Sequence, residues 1–151
     1  MNCITGDLLE LADAGRFDVI IHGCNCFCTM GAGIAKAIAQ RYPVACAADC
    51  ATGVGDREKL GSYSSARVAC PAGELVVVNA YTQYHYAGEL PLVDYGAVAQ
   101  VMARIANDFR GLRMGYPKLG AGLAGGDWSR IAAILDEALA DQDHTLVVLP
   151  S

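Results

Sequence analysis

The sequence predicts an α/β fold: three α/β/α layers, with helices on both faces of a central mixed, mostly parallel sheet. Three observations predict it. Residues 17–22 (FDVIIH), 75–80 (LVVVNA) and 145–149 (TLVVL) are nearly continuous apolar runs, the pattern of strands buried on both faces. Stretches of helical spacing alternate with them, as βα units require. Glycine-rich turns stand where strands hand over to helices. Shorter strands are expected at 2–5, 66–70 and 112–116. A helix over 33–41 (GIAKAIAQR) is built of strong helix formers and stops before Pro43. Residues 92–109 place Val98, Val101, Met102, Ile105 and Phe109 on one helical face, and 128–139 do the same with Ile131, Ile134, Leu135 and Leu139. Asp127 is positioned to cap the latter.

At 151 residues the chain fits one domain, 1–151, without repeats or charged linkers. Hydrophobic residues make up 54% and charged residues 18%, which excludes a disordered chain. The formal net charge is −5, so sequence-specific binding to a nucleic-acid duplex is not expected. A small anion held by uncharged backbone N–H groups remains open. No run approaches the ~20 apolar residues that cross a bilayer, and no membrane partner is expected. The opening MNCITGD lacks a basic region followed by an apolar run, so the expectation is a cytoplasmic protein. The seven cysteines are an odd, scattered set, which fits reduced thiols better than a disulfide scaffold. Cys24, Cys26 and Cys28 lack the spacing of a zinc knuckle; no metal and no cofactor is expected.

Two glycine loops carry the functional signal. The first runs from Gly23 through Gly31-Ala32-Gly33 into a helix, and matches neither a Walker A loop nor a dinucleotide fingerprint. The second, Gly120-Ala121-Gly122-Leu123-Ala124-Gly125-Gly126, again joins a strand to a helix. So many glycines in one connection cost chain entropy, and they let backbone come close to a ligand. In such sheets ligands lie beyond the strands' carboxyl ends. One anionic ligand spanning both loops is therefore expected.

Over essentially its full length the sequence resembles a macro domain, the ADP-ribose-binding module. The resemblance rests on Ile4-Thr5-Gly6-Asp7-Leu8, on Ile20-Ile21-His22-Gly23-Cys24-Asn25 with Gly31-Ala32-Gly33-Ile34, on Asn79-Ala80-Tyr81, and on Pro117-Lys118-Leu119-Gly120-Ala121-Gly122-Leu123. Macro domains commonly read Val-Asn-Ala-Ala-Asn where this chain has Ile21 to Asn25. Histidine at 22, with Cys24, Asn25 and Cys26, is similar to the branch of phosphatases acting on ADP-ribose 1''-phosphate, typified by the yeast enzyme. The related glycohydrolase branch relies on a lysine just past the strand ending near Asn79; Thr82, Gln83 and Tyr84 stand there instead.

The resemblance implies a ligand, ADP-ribose or its 1''-phosphate, and a set of roles. Asp7, with Leu8, would contact adenine; the residues alone fit a helix N-cap equally well. Asn25 would contact the distal ribose, against an Asx-turn as the purely local role. Gly31, Ala32, Gly33 and Ile34, with Gly120, Ala121, Gly122, Leu123 and Ala124, would cradle the diphosphate. From the residues alone, Tyr81 with Tyr84, His85 and Tyr86 forms an aromatic cluster placed to wall the cleft, against simple packing. His22 would act as proton donor or nucleophile, against a half-buried core histidine. Asp127 is not carried over, since the glycohydrolases place their acidic residue nearer the loop's start, at Ala124 here; its own place at the loop's end fits orienting a water or the histidine, against an N-cap. The expected activity is hydrolysis of the phosphate monoester. The alternatives are a non-catalytic reader of ADP-ribosylated macromolecules, and a glycohydrolase that removes ADP-ribose from protein or nucleic acid. His85 is a reserve acid or base, His144 is expected on the surface, and Trp128 beneath the second loop.

Overall fold

A computed structural model describes residues 1–151. The elements are β1 (Asn2–Thr5), α1 (Leu8–Asp13), β2 (Val19–Cys24), α2 (Gly33–Arg41), α3 (Pro43–Cys50), β3 (Tyr63–Cys70), β4 (Gly73–Tyr81), α4 (Tyr95–Asp108), β5 (Met114–Tyr116), α5 (Trp128–Ala138) and β6 (His144–Val148), with a short 3-10 turn at Arg57–Lys59. They form one six-stranded sheet ordered β1-β6-β5-β2-β4-β3. Every neighbouring pair is parallel except β3 with β4, which is antiparallel at the edge. This is the three-layer α/β/α arrangement that the sequence predicts.

Strand alternation sorts the apolar runs between two cores. Val19 and Ile21 of β2 join Val78 and Ala80 of β4 under α4 and α5, where Val98, Val101, Met102, Ile105, Ile131 and Leu135 are buried. Ile20 joins Leu75 and Val77 on the opposite face, against Ile38 of α2 and Ala45 of α3. His22 and Asn79 follow the parity of Ile20 and Val77, so they point into the layer under α2 and α3.

Boundaries move for identifiable reasons. β2 begins at Val19, and just ahead of it the Asp18 carboxylate accepts a fork of hydrogen bonds from Arg113 (2.8–3.1 Å). It runs on through Gly23 and Cys24, which stay paired with Ala80 and Tyr81. α4 begins at Tyr95 because the Asp94 side chain accepts from Ala97 N–H at 3.0 Å and caps it there. His144 is not on the surface: it is buried, its ring stacks on Tyr116, and its Nδ1 lies 2.7 Å from the Tyr116 hydroxyl. Trp128 is half-buried against the α4–α5 core. No helix is long and apolar enough to cross a membrane.

Candidate functional site

A cleft of about 690 Å³ opens above the carboxyl ends of β5 and β2. One wall is the β2–α2 loop with the start of α2: Asn25, Thr29 and Gly31 to Ala35. The other is the β5–α5 loop: Pro117 to Gly120 and Gly122 to Ala124. Gln83 and Tyr86, just past β4, close one end. The walls are short of hydrogen-bond acceptors. The N–H groups of Gly31, Ala32, Gly33, Ile34 and Ala35 have no acceptor within the chain, and α2 has no side-chain cap. Opposite them, the N–H groups of Gly120, Gly122, Leu123 and Ala124 are likewise free. These orphan donors and the positive end of α2 together form an anion cradle that carries no formal charge.

Glycine makes the second wall possible. Gly120 has φ +77°, and a Cβ on Gly126 would stand 2.5 Å from the Gly120 carbonyl oxygen. The loop therefore folds tightly on itself and turns its N–H groups outward.

No protein-family model matches the chain. Among curated proteins it is 35% identical, over 139 residues, to an uncharacterized 17.5 kDa protein of enterobacteria phage T4, covering 88% of this chain and 86% of the relative. A shorter stretch of 42 residues is 48% identical to an ADP-ribose 1''-phosphate phosphatase of Aspergillus oryzae, covering 28% of this chain and 19% of that protein. Among solved structures the fold matches the macrodomain of Mycobacterium tuberculosis DarG with TM-score 0.73, 23% identity and coverage of 99% and 97% of the two chains. It also matches Thermosipho africanus DarTG in complex with ADP-ribose, with TM-score 0.72 and 17% identity, covering 99% of this chain and 42% of that one. The chain has the macro domain fold.

Within this macro domain fold the structure brings some of the sequence-picked residues together and leaves others apart. Asn25, Gly31, Ala32, Gly33, Ile34, Gly120, Gly122, Leu123 and Ala124 all line the cleft; Ala121 does not, because its N–H turns back to the Lys118 carbonyl. Asn25 has both ends of its amide engaged. Its Oδ1 accepts from Phe27 N–H at 2.8 Å, and its Nδ2 donates to Thr29 Oγ1 at 2.7 Å and to the Thr29 carbonyl. Asp7 caps α1, its Oδ1 accepting from Leu9 and Glu10 N–H at 3.0 Å. It borders a separate shallow depression with Leu9, Ala37, Gln40 and Arg41, so α2 runs between that depression and the main cleft. Leu8 is buried in the core.

Tyr81 is 1% exposed and lies outside the cleft wall. Its parity on β4 turns it under the β2–α2 loop, where its hydroxyl donates to Asp49 at 2.7 Å and meets Ser64 Oγ at 2.7 Å. Asp127 faces away from the cleft and caps α5, accepting from Ser129 N–H at 3.0 Å. His22 is fully buried, two residues short of the end of β2. Its Nε2 donates to Asn79 Oδ1 at 2.7 Å, while the Asn79 amide nitrogen donates to the Ala45 carbonyl and Ser64 Oγ. Burial lowers its pKa, against an opposing pull from Asn79 and Asp49, and so keeps the ring neutral. Cys24, 3.6–3.7 Å from the ring nitrogens, lies between His22 and the cleft. Burial raises its pKa well above the usual thiol value, so it is no thiolate nucleophile at neutral pH.

No carboxylate or imidazole lines the cleft; its polar side chains are Asn25, Thr29, Gln83, Tyr86 and Lys118, with the Cys24 thiol. Lys118 is the one formal charge among them. Gln83 anchors its amide nitrogen on the His85 carbonyl at 2.9 Å and leaves its oxygen without a partner. Sequence reasoning missed Thr29 and Gln83 as site residues. Gln83 was legible only as the occupant of a position where a relative carries lysine. The three clustered cysteines do not converge. Cys24 faces His22, Cys26 donates to the Gln83 carbonyl, and Cys28 donates to the carbonyls of Asp49 and Thr52. No group of three or more potential metal ligands forms.

Proposed function

We propose that this macro domain binds ADP-ribose and hydrolyses the phosphate monoester of ADP-ribose 1''-phosphate. The observation that carries the binding is the pair of facing, acceptor-free backbone arrays at Gly31–Ala35 and at Gly120 with Gly122–Ala124. Their nine donors suit the oxygens of a diphosphate. The adenine would lie beside Asp7, across α2, and the distal ribose beside Asn25, Thr29 and Gln83. The Thermosipho relative of this fold is in complex with ADP-ribose, which supports the same ligand here.

The hydrolytic reading is supported by the stretch shared with the Aspergillus phosphatase. In that reaction water attacks phosphorus, the bond between phosphorus and the anomeric oxygen breaks, and a proton from the water ends on that oxygen. With no carboxylate or imidazole in the cleft wall, acceleration would come from positioning and from N–H groups and Lys118 holding phosphate oxygens. His22 and Asp127 enter as positioning groups, one under the cleft floor through Asn79 and Cys24, the other at the root of the second loop. The same bare wall favours one second reading, a non-catalytic reader of ADP-ribose.

Calorimetry with ADP-ribose, followed by incubation with its 1''-phosphate, separates these. Heat of binding with phosphate release supports the enzyme, and binding without release selects the reader. Release of ADP-ribose from a modified protein or DNA strand would identify a glycohydrolase instead. No binding would remove the nucleotide reading altogether.

A further inference from the structure

Of the three lysines, only Lys59 is buried, at 7% exposure. It closes the 3-10 turn Arg57–Lys59, and its ammonium has no carboxylate within salt-bridge distance. Instead Nζ donates to the Cys26 carbonyl at 3.1 Å and to Cys28 Sγ at 3.5 Å, and stands 4.7 Å from the centre of the Tyr81 ring. Both of its polar partners sit on the β2–α2 loop, between Asn25 and Thr29, which line the cleft on the loop's other side. Cys28 is also the chain's only non-glycine residue with positive φ, +59°, a strained conformation that persists only where its surroundings enforce it.

A buried ammonium with no carboxylate within salt-bridge distance is costly to desolvate and a poor device for stability. Its three donors on the back of one strained loop have a different use. We infer that Lys59 is a positioning residue for the nucleotide cleft, holding the β2–α2 loop from behind in the shape that presents Asn25, Thr29 and the Gly31–Ala35 donors. The inference rests on the ADP-ribose reading of that cleft. Without the ammonium the loop samples other shapes, and ligand affinity falls by the fraction of time the presenting shape is lost.

The test compares Lys59→Met with Lys59→Arg. Lys59→Met is expected to keep the wild-type melting temperature or exceed it, yet to bind ADP-ribose ~10-fold or more weakly, as a loop competent a tenth of the time would. AMP, which does not reach the Asn25–Thr29 segment that Lys59 holds, should lose much less affinity than ADP-ribose does in Lys59→Met. Lys59→Arg keeps charge and donors and should restore most of the ADP-ribose affinity. Hydrogen exchange of the unliganded protein should quicken over residues 25–33 in Lys59→Met and stay unchanged over 117–126. Unchanged exchange and affinity in Lys59→Met would overturn the inference. So would a Lys59→Met protein that does not fold, or one that loses both nucleotides together, since either makes Lys59 a structural residue. If wild type binds neither nucleotide, the reading of the cleft fails, and the exchange comparison still decides Lys59.

Discussion

His22 illustrates how far a single side chain's environment decides its chemistry. One residue of parity separates a ring facing α2 and α3 from a ring facing the opposite core, and two residues of depth separate it from the cleft. Its bond to Asn79 and the neutral state imposed by burial make it a bracing group. His22→Ala is therefore expected to cost about 2–4 kcal/mol of stability, the usual range for a lost packed side chain that leaves a buried acceptor. Phosphate release per folded molecule should change less than ~10-fold. A stable variant that loses ~10²-fold would return the imidazole to direct acid–base work. The same burial has a pH consequence. His22 and His144 both titrate below the ordinary 6.5, burial being the largest cause for each. Below that pH the unfolded chain takes up protons that the fold refuses, so stability falls as pH falls. Above it these groups contribute no pH dependence. The slope approaches about 1.4 kcal/mol per pH unit for each histidine. Urea unfolding between pH 7.5 and 5.5 should show the decline beginning near 6.5, about halved in slope by His22→Gln. A flat profile over that range would contradict the buried, neutral assignments.

At the scale of elements, two loops that look alike in sequence are built differently. Gly33 has φ +58°, whereas Gly122 has room for a Cβ, with nothing within 4 Å. Valine at 122 therefore projects into the cleft without disturbing the protein. Gly122→Val should leave stability within about 0.5 kcal/mol, as for an exposed site, while abolishing ADP-ribose binding in calorimetry. Valine at 33 should cost stability as well, by about 1–3 kcal/mol for a β-branched residue held in the left-handed region. Retained binding by a folded Gly122→Val protein would show that the second loop is no cradle. Much of this was legible beforehand. Helix formers between Gly33 and Pro43 bounded α2 to the residue, and Asp127 and Asp7 stand as N-caps where capping chemistry placed them. What was not legible depends on contacts remote in sequence. Tyr81 reads as a strand-end aromatic near a ligand, but Asp49, 32 residues away, draws its hydroxyl under the loop. Lys59 sits in a charged stretch, Asp56-Arg57-Glu58-Lys59, that reads as solvated surface, and nothing local reveals that Cys26 and Cys28 fold over it. Periodicity tells which residues share a face, not which face meets the ligand.

Across the whole molecule, the cleft joins two halves that otherwise meet only through the sheet. The β2–α2 loop belongs to the layer of α1, α2 and α3, and the β5–α5 loop to the layer of α4 and α5, each with its own core. Across the cleft mouth Leu123 reaches over to Gly33, its side chain 73% exposed and open to cover by a ligand. A ligand that fills both donor arrays therefore ties the layers together, whereas one that fills a single depression does not. The thiols of Cys24, Cys26 and Cys28 point to three separate partners and do not form a shared metal site. Binding should survive EDTA, and loss of binding restored by zinc would contradict that geometry. ADP-ribose at ~100 times its dissociation constant should stabilise the fold by about 2.7 kcal/mol. For a chain of this length that is a rise in melting temperature of roughly 5–10 °C. AMP at the same concentration should give a much smaller rise, because it leaves the distal ribose contacts and one donor array unfilled. Gly122→Val should remove most of the ADP-ribose shift and little of the AMP shift. Equal shifts from the two nucleotides on the unmodified protein would mean that the ligand engages only one side, and would sink the two-array cleft.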